Sequence, residues 1–427
     1  MTKVGVVGLW HLGSVTCACL ADLGYQVVGF ENNNSIIQNL KQAKSPIFEP
    51  GLDELLKKNL ENKRLQFTTD IKEAVIDADY VFLTIDTPVD EQDIVDLTSI
   101  YEIIQEIAKF IVDNVTIIVQ SQVPIGTCDE LIKIIKQKRP DTKFGLAYCP
   151  ENLRLGKAID TFEHPDRIII GSDNEQTTEK IKSFFEIINC PKITMDLKSA
   201  EMTKHCINAF LATCISFINW IGNICEKTGA DVNMISEGLM SEHRIGNRLP
   251  LRSGLGFSGG TLGRDVKVLE ELCKKIEVEP DFIQSILRIN HEQNIRIVKK
   301  LLNFHHSLDG LKIGILGLTY KSGTNTLRRS TSIEIIKELL KLNSIVKAYD
   351  PSITSIDYLK EKNFQLCMSP YEAAEETDAL LILTDWPQFR ELDYKRIFSS
   401  MKNPMIFDMK NFLDENNLKS LGFLYSR

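Results

Sequence analysis

The sequence predicts an α/β protein in which two parallel-sheet domains flank a central helical domain with one long helix. Short apolar strands alternate with helical patterns over residues 1–196, helical periodicity takes over from 197 to 303, and an altered form of the opening strand and glycine turn returns within residues 304–427. Such alternation is typical of parallel sheets that are covered by helices on both faces. The length of 427 residues fits about three domains of roughly 150 residues each.

The first domain opens with a strand, a glycine turn and a helix. KVGVVGLWHLG is typical of a short buried strand and turn, SVTCACLADLG of a helix that ends at Gly24, and QVVGFE of a second strand. This opening indicates a Rossmann-like domain. Further strands are predicted for YVFLTI (80–85), TIIVQSQ (116–122), FGLAYCP (144–150) and RIIIGS (167–172).

The central domain is predicted to contain one long helix from Ala200 to Thr228. Its apolar residues recur three or four positions apart, at Ile207, Phe210, Leu211, Cys214, Ile218, Ile221 and Cys225. The length of the helix and the additional Phe217 and Ile224 predict a second buried face, as at a domain junction or in a homodimer.

A second Rossmann-like domain is predicted from residue 304 onward. LKIGILGLTYKSGT resembles the N-terminal strand in its lysine, its aliphatic run and its Gly-Leu turn. The expected strands are KIGILGL, IVKAYD (345–350), ALLILTD (379–385) and MIFDM (405–409).

Composition excludes several classes of function. A net charge of −8 without a run of five basic residues argues against binding to nucleic acid. The N-terminus lacks the features of a signal peptide, and no stretch reaches the roughly 18 apolar residues of a membrane span. The ten cysteines form no CxxC pair and no His/Cys cluster. These features predict a cytoplasmic protein with reduced thiols, no metal site and no membrane association.

The turn Gly8-Leu9-Trp10-His11-Leu12-Gly13 predicts an NAD site. In a dinucleotide fingerprint the first glycine makes the tight turn, the last lets the helix pack on the strand, and the helix N-terminus receives the pyrophosphate. Trp10 replaces the middle glycine. Glu31 closes the second strand at the spacing of a carboxylate that binds the ribose 2′-hydroxyl, which also disfavours NADP. The alternative is a Rossmann-like turn that binds another ligand or none, and His11 stays open between a packing residue and a contact.

Polar residues at other positions suggest chemistry. TIDTPVD (84–90) and SQVPIGT (121–127) follow strand ends, where open α/β sheets bind ligands, although turn formation alone also explains them. Lys204 and Asn208 are four apart on one helix face and could stabilise an alkoxide, the alternative being a solvated stripe. Glu151 follows a strand end and is a candidate carboxylate base.

The stretch GFSGGTLGRD (256–265) contains four glycines and, as a candidate nucleophile, only the hydroxyl of Thr261. Glycines allow a backbone to approach a ligand closely. Asp265 is expected to be a helix N-cap, the common reason for an aspartate at such a position.

Several blocks, in the same order along the chain, resemble the nucleotide-sugar 6-dehydrogenases of the UDP-glucose and GDP-mannose dehydrogenase type. The blocks are PIFEPGLDELL (46–56), SQVPIGT, CPENLRLG (149–156), PDRIIIG (165–171), AEMTKHCINAFLATCISFIN (200–219), HRIG (243–246), ILGLTYKSGTNTLRRS (315–330), YDP (349–351) and LLILTDWPQFRELD (380–393). The resemblance covers nearly the whole chain.

This resemblance implies two NAD-dependent oxidations that convert a sugar CH2OH into a carboxylate through an aldehyde and a thioester on cysteine. It implies that Glu151 is the carboxylate base, that Lys204 and Asn208 stabilise the oxyanion, and that Asp265 orders water near Lys204. The residues that it assigns to NAD are Gly8, Leu12, Gly13, Glu31, Thr87, Pro88, Gln122 and Arg328. Those that it assigns to the nucleotide sugar are Leu153, Arg244, Gly256 and Lys321, with Arg244 crossing the interface of a homodimer.

The sequence departs from the family pattern at several ligand-facing positions. Thr261 stands where the family has its cysteine, and a threonine hydroxyl is a poor nucleophile without a dedicated base. The other departures are Gln122 for a threonine, Asn152 for a phenylalanine, Leu155 for a glutamate, and Asn325 and Thr326 for an acidic pair. Together they predict altered chemistry or an altered substrate.

Three functions remain open from the sequence. The first keeps the full oxidation and replaces the thioester by an aldehyde hydrate, favouring a UDP-sugar as substrate. The second stops after one hydride transfer or returns the hydride, as an epimerase does. The third is a binding protein for NAD and a nucleotide sugar without turnover.

Overall fold

The computed structural model describes residues 1–90, 94–151, 153–356, 359 and 361–426. Asn152, one of the substituted positions, lies outside these residues. The chain divides into two compact units, Met1–Cys206 and Ile207–Arg427. The division into domains at 196 and 303 stays a prediction.

The first unit is built on an eight-stranded sheet, counted over the described residues, with the order β3-β2-β1-β4-β5-β6-β7-β8. Strand β1 lies between β2 and β4, with Val4 in register with Val27 and Tyr80. The order of the first six strands is that of a Rossmann sheet. The strands are β1 (Lys3–Val7), β2 (Gln26–Phe30), β3 (Leu65–Thr68), β4 (Tyr80–Leu83), β5 (Thr116–Val119), β6 (Gly145–Tyr148), β7 (Ile168–Ser172) and β8 (Lys192–Met195).

The last two strands of this sheet correct the prediction of parallel pairing. Strand β7 runs antiparallel to β6, with Tyr148 opposite Gly171, and β8 is parallel to β7. The apolar run RIIIG predicts a buried strand correctly, but an apolar run does not encode the direction in which a strand enters the sheet.

Helices connect these strands, and several begin at a polar cap. Asn33, Asp70 and Asn174 each accept a hydrogen bond from a backbone N–H in the first turn of the helix that follows. The helices are α1 (His11–Asp22), α2 (Asn34–Lys41), α3 (Leu52–Glu61), α4 (Ile71–Val75), α5 (Thr98–Ile107), α6 (Thr127–Lys138), α7 (Ala158–Glu163) and α8 (Glu175–Phe184).

The predicted long helix is α9 (Leu197–Thr228), and α10 (Val232–Ser241), α11 (Leu262–Lys275) and α12 (Asp281–His305) follow it. Phe217 and Ile224 are 44% and 41% exposed in the single chain, and burial of this second face in a homodimer stays a prediction. By length and composition alone α9 could cross a membrane, a test that the core helix of a soluble protein also passes.

The second unit contains a six-stranded parallel sheet, counted over the described residues, with the order β11-β10-β9-β12-β13-β14. The four predicted strands are present, and 364–366 and 424–426 add one strand at each edge. The strands are β9 (Lys312–Leu316), β10 (Ile345–Tyr349), β11 (Phe364–Leu366), β12 (Ala379–Ile382), β13 (Met405–Asp408) and β14 (Leu424–Ser426); the helices are α13 (Thr331–Lys341), α14 (Pro370–Ala374), α15 (Tyr394–Ser400) and α16 (Glu415–Ser420).

Candidate active site

The glycine turn between β1 and α1 has the geometry of a dinucleotide cradle. Gly8 has a φ of +96°, and an added Cβ would lie 2.9 Å from the Cα of Ile85. At Gly13, inside α1, a Cβ would lie 1.8 Å from the carbonyl oxygen of Gly8. Neither position has room for a side chain. Because both residues are glycines, no side chain covers the backbone of the turn there, and a pyrophosphate can approach it closely.

Glu31 lies beside this turn, directly after β2. Its Oε2 accepts the backbone N–H of Leu9 at 3.1 Å, and its Oε1 accepts that of Asn33 at 3.2 Å. A carboxylate offers about four lone-pair positions, so further acceptor capacity remains for ribose hydroxyls. The turn and the carboxylate therefore fit NAD.

Trp10 and His11 occupy the centre of the turn. Trp10 is the N-cap of α1, makes no side-chain capping bond and is 44% exposed. The Nε2 of His11 lies 2.9 Å from Oε2 of the buried Glu49. Glu49 also accepts the backbone N–H groups of Gly156 and Ala158 at 2.9 and 2.8 Å. His11 thus has an internal partner, which links the cofactor turn to the segment that follows Glu151.

The two polar segments after strand ends meet each other. Thr87, which is buried, donates its hydroxyl to the carbonyl oxygen of Gln122 at 2.7 Å. The neighbouring Pro88 is exposed and accepts the backbone N–H of Asp96 at 2.8 Å. Thr87 and Gln122 are thus next to each other, and their NAD-binding role stays a prediction.

Glu151 and Lys204 form a pair within the first unit. The residue Lys204 is 7% exposed. Its Nζ donates to the carbonyl oxygen of Glu151 at 2.6 Å and lies 3.5 Å from Oε1 of the same residue. The other carboxylate oxygen of Glu151 accepts the backbone N–H of Leu153 at 2.5 Å. A small cavity of about 60 Å³ is lined by Glu151, Leu153 and Leu12. The predicted base, the predicted lysine and two predicted ligand contacts are therefore brought together.

In the second unit Asn208 and Asp265 form a buried pair. The side-chain amide of Asn208 donates to Oδ2 of Asp265, which is fully buried. The N-cap interpretation of Asp265 is wrong, since α11 begins at Leu262 with Thr261 at the N-cap. Asp265 lies in the first turn of this helix, and its carboxylate has a side-chain partner on another helix.

The glycine-rich stretch is a loop that side chains of α12 hold in place. Asn294 accepts the backbone N–H of Gly256 at 3.1 Å, and Asn290 accepts that of Phe257 at 2.6 Å. Gly259 has a φ of +83°, and a Cβ there would lie 2.9 Å from the ring of Tyr320. The loop ends at the exposed Thr261, which makes no side-chain capping bond.

A cavity of about 490 Å³ in the second unit is lined by this loop and by basic side chains. This volume is typical of a small-molecule site. Its charged lining residues are Arg252, Lys321, Asp385, Arg390 and Lys410, four cations against one carboxylate. We call it the basic cavity. Burial lowers the pKa of Lys410, and Asp385 and Asp408 oppose this effect.

Of the residues predicted to bind the nucleotide sugar, Lys321 and Gly256 line the basic cavity. Arg244 does not line it within the described part of this chain. Its side chain is 85% exposed and its Nε lies 3.0 Å from Glu242. Arg328, predicted to contact NAD, is exposed. Sequence reasoning missed Arg252, Arg390 and Lys410, which no shared motif connects.

Comparison with known proteins places these features in a family. The sequence models of the UDP-glucose/GDP-mannose dehydrogenase family match in all three parts: the NAD binding domain at residues 2–189, the central domain at 198–292 and the UDP binding domain at 314–415. The chain belongs to this family. It is an NAD-dependent oxidoreductase that acts on the CH–OH group of a nucleotide sugar.

Individual relatives agree with this family assignment. The chain is 35% identical to the UDP-glucose 6-dehydrogenase TuaD of Bacillus subtilis (strain 168), over all of this chain and 92% of the relative. A solved UDP-glucose dehydrogenase from Pyrobaculum islandicum is 28% identical, with a TM-score of 0.90 over 100% of this chain and 97% of that one. The UDP-N-acetyl-mannosamine dehydrogenase Cap5O of Staphylococcus aureus is 26% identical, with a TM-score of 0.81 over 100% and 98% of the two chains.

The matched domains of the family contain the sites described in each unit. The cradle at Gly8 and Glu31 falls within the matched NAD binding domain. Four charged residues of the basic cavity, Lys321, Asp385, Arg390 and Lys410, fall within the matched UDP binding domain. Arginine and lysine side chains suit a diphosphate, and the cavity thus fits the nucleotide part of the substrate.

Proposed function

We propose that this dehydrogenase oxidises the primary alcohol of a UDP-sugar to a carboxylate without a cysteine nucleophile. The observation that carries the proposal is the pair of Lys204 and Glu151, in which a nearly buried ammonium lies 3.5 Å from a partly exposed carboxylate. A buried lysine is costly to keep, and a protein that only binds its ligands has no need of one beside a carboxylate at a strand end.

The relatives support a UDP-sugar as the substrate. The Bacillus subtilis relative is named a UDP-glucose 6-dehydrogenase, and the one from Pyrobaculum islandicum a UDP-glucose dehydrogenase. The Staphylococcus aureus protein is named for UDP-N-acetyl-mannosamine. The basic cavity supplies cations for the diphosphate that these sugars share.

The side chains of the first unit supply acid and base chemistry in this proposal. Bound at the cradle of Gly8 and Glu31, NAD would supply the acceptor for the hydride that leaves the oxidised carbon. Lys204 stabilises the alkoxide that develops when the alcohol loses its proton, as a preorganised cation does for an oxyanion. Glu151 accepts the proton and, being partly exposed, passes it to water before the second oxidation.

The second oxidation proceeds through a hydrate. The oxygen of a water molecule bonds to the aldehyde carbon, one water proton passes to Glu151, and the carbonyl oxygen takes a proton from Lys204. Loss of a hydride together with one hydroxyl proton, which returns to Lys204, turns the hydrate into the acid. In total, one alcohol and one water yield one carboxylate, two hydrides and three protons. Asn208 and Asp265 are proposed to order water and polar oxygens of the substrate.

Thr261 and Cys149 support a mechanism without a thioester. Thr261 holds the position of the family nucleophile, and a threonine hydroxyl is weakly nucleophilic at neutral pH. Cys149, two positions before Glu151, is fully enclosed, and burial raises the pKa of its thiol. A thiol that stays protonated does not form a thioester readily.

The test counts NADH per sugar. Pure protein is incubated with NAD and a panel of UDP-sugars and GDP-mannose, and the product is identified by its mass. Two NADH per sugar with an acid product support the proposal. One NADH with an aldehyde or ketone, or none with an isomerised sugar, would replace it by the single oxidation or epimerisation that the loss of the cysteine also permits.

Two variants at Thr261 isolate the role of this residue. Thr261→Ala retains two NADH per sugar if the hydroxyl is not the nucleophile, and Thr261→Cys shows whether a thiol alters rate or product. Loss of the second NADH in Thr261→Ala would contradict the hydrate route and assign acyl transfer to this hydroxyl.

We further propose that the enzyme is a homodimer through α9. Phe210, Phe217, Trp220 and Ile224 are 56%, 44%, 50% and 41% exposed, and their spacing of seven, three and four places them on one helix face. An exposed apolar stripe of this kind is typical of an interface. Arg244 would then reach the partner's nucleotide sugar. Sedimentation of Trp220→Glu tests this, and a variant that sediments like the unmodified enzyme would overturn it.

A further inference from the structure

Two buried side chains of α9, one before and one after Lys204 in the sequence, bind a segment beside the predicted cofactor site. Glu201 lies three positions before Lys204, and His205 directly follows it. Both are at most 1% exposed. Both bind the segment from Gln122 to Cys128, which connects β5 to α6 and contains a predicted NAD contact. We call this segment the β5–α6 loop.

Glu201 caps α6, the helix that follows the β5–α6 loop. Its Oε2 accepts the backbone N–H of Gly126 at 2.5 Å, and its Oε1 accepts that of Cys128 at 2.8 Å. Gly126 is the N-cap of α6 and has no side chain with which to cap it. A negative charge at a helix N-terminus is favourable, so Glu201 fixes the start of α6 from a distant part of the chain.

His205 fixes the other end of the loop. Its Nε2 lies 2.8 Å from the carbonyl oxygen of Val123. A carbonyl oxygen only accepts hydrogen bonds, and therefore Nε2 carries the proton. Next to Val123, the carbonyl oxygen of Gln122 accepts the hydroxyl of Thr87. The backbone at the predicted cofactor contact and at the residue that follows it is thus anchored.

These contacts connect three parts of the candidate site. Lys204 lies between Glu201 and His205 on the same stretch of α9 and binds the carbonyl oxygen of Glu151 at 2.6 Å. A stretch of α9 little longer than one helical turn therefore positions the β5–α6 loop, Lys204 and Glu151 relative to one another. A displacement of about 1 Å in such a geometry can cost roughly a hundredfold in rate.

We propose that Glu201 and His205 are positioning residues that hold Lys204 and the β5–α6 loop in the relative geometry that the oxidation requires. The burial of a carboxylate supports this role, because an apolar side chain would fill the same space at lower cost. Burial raises the pKa of Glu201, and the two backbone N–H groups only partly offset that cost. The inference rests on the proposed role of Lys204.

The test compares matched variants of the full-length enzyme by steady-state kinetics. In Glu201→Gln an amide NH2 replaces one of the two carboxylate oxygens, so that one of the two backbone N–H groups faces a second donor. His205→Ala removes the donor to Val123, whereas His205→Gln keeps an Nε2 donor. We expect Glu201→Gln and His205→Ala to raise the KM for NAD and lower kcat by about ten- to a hundredfold, and His205→Gln to recover most of both.

A control on the same helices is Lys198→Ala, which removes the exposed ion pair with Asp129 at 3.2 Å and leaves Glu201 in place. It should retain the kinetics of the unmodified enzyme. If Glu201→Gln and His205→Ala only lower the melting temperature and leave kcat and KM unchanged, the residues are structural and the proposal is overturned. If Glu201→Gln does not fold, the two His205 variants decide.

Lys204→Met separates this proposal from the function on which it rests. An unchanged kcat in Lys204→Met would refute the proposed role of Lys204, whatever the Glu201 and His205 variants do. A large loss in Lys204→Met together with unchanged kinetics in Glu201→Gln and His205→Ala would refute the positioning role alone.

Discussion

Asn208 donates its side-chain amide to the carboxylate of Asp265, and both groups are buried. The two residues are 57 positions apart and lie on α9 and α11. The amide partner holds the side chain of Asp265 in one orientation, as the ordering of water or of polar ligand groups requires. We propose that this pair has a role in the reaction.

Asp265→Asn is expected to lower kcat by about a hundredfold, the scale on which a preorganised electrostatic group acts. The change keeps the shape and removes the charge. The loss of a hydrogen bond to a charged group costs about 1.5–3 kcal/mol of stability. Initial rates of NADH formation and urea unfolding measure the two effects. Asp281→Asn, at an exposed position, is the control, and equal rates in the two variants would contradict the role of Asp265.

Gly259→Ala is expected to distort the glycine-rich loop. Gly259 has a φ of +83° and its Cβ would lie 2.9 Å from the ring of Tyr320, while at Gly260 nothing lies within 4 Å of an added Cβ. Strain at such a position costs on the order of 1–3 kcal/mol. Gly259→Ala should therefore raise the KM for the nucleotide sugar, and Gly260→Ala should leave it close to its original value. Equal KM values would show that the loop geometry is not needed for binding.

Glu31→Ala is expected to weaken the preference for NAD over NADP. The carboxylate accepts the N–H of Leu9 in the cofactor turn. Its loss removes a hydrogen-bond acceptor for the ribose and a negative charge that repels a 2′-phosphate. The value of kcat/KM for NAD should fall about tenfold, as for one lost charged hydrogen bond, and the value for NADP should rise relative to it. Glu61→Ala, at an exposed position, should change neither.

Glu226 is expected to make stability depend on pH. Burial raises its pKa, but hydrogen bonds from Lys300 at 2.7 Å and Arg296 at 2.5 Å outweigh this and hold the pKa below its ordinary value of 4.5. The unfolded chain therefore binds the proton more tightly. The stabilisation is complete above the unfolded pKa and disappears as the pH falls through the folded one.

Glu226→Gln isolates this contribution. Its free energy of unfolding should be lower than that of the unmodified protein at pH 7, and the difference should shrink as the pH falls below about 4.5. Urea titrations over this range measure it. Glu237→Gln, which changes an exposed carboxylate on α10, is the control. A difference that stays constant with pH would contradict the assignment to ionised Glu226.

Local features of the sequence predicted much of the fold and of the cofactor cradle. Apolar runs gave the central strands of both sheets because burial on two faces demands them. The turn at Gly8 and the position of Glu31 followed from the backbone requirements of a phosphate-binding turn, which are local too. The direction of β7 was wrong, because Ile168–Ser172 is equally apolar in either direction.

The candidate site was predictable only where a motif carried it. Glu151 and Lys204 were found from their sequence blocks, and the structure joins them. Asp265 was expected to cap its helix because nothing in the neighbouring sequence reveals a partner 57 residues away. Glu201 and His205 resemble ordinary residues of an amphipathic helix until the loop that they bind is seen.

By itself the sequence determined the two α/β regions, the long helix and the glycine cradle for NAD, and it predicts that Thr261 replaces the family cysteine. These features depend on residue type and short spacing, which the chain carries whether or not it is folded. Only the tertiary structure decided the reversal of β7, the pairing of Asn208 with Asp265, the cations of the basic cavity and the anchoring of the β5–α6 loop. Each of these joins distant segments, and hydrogen bonds and packing select such contacts only once the chain has folded.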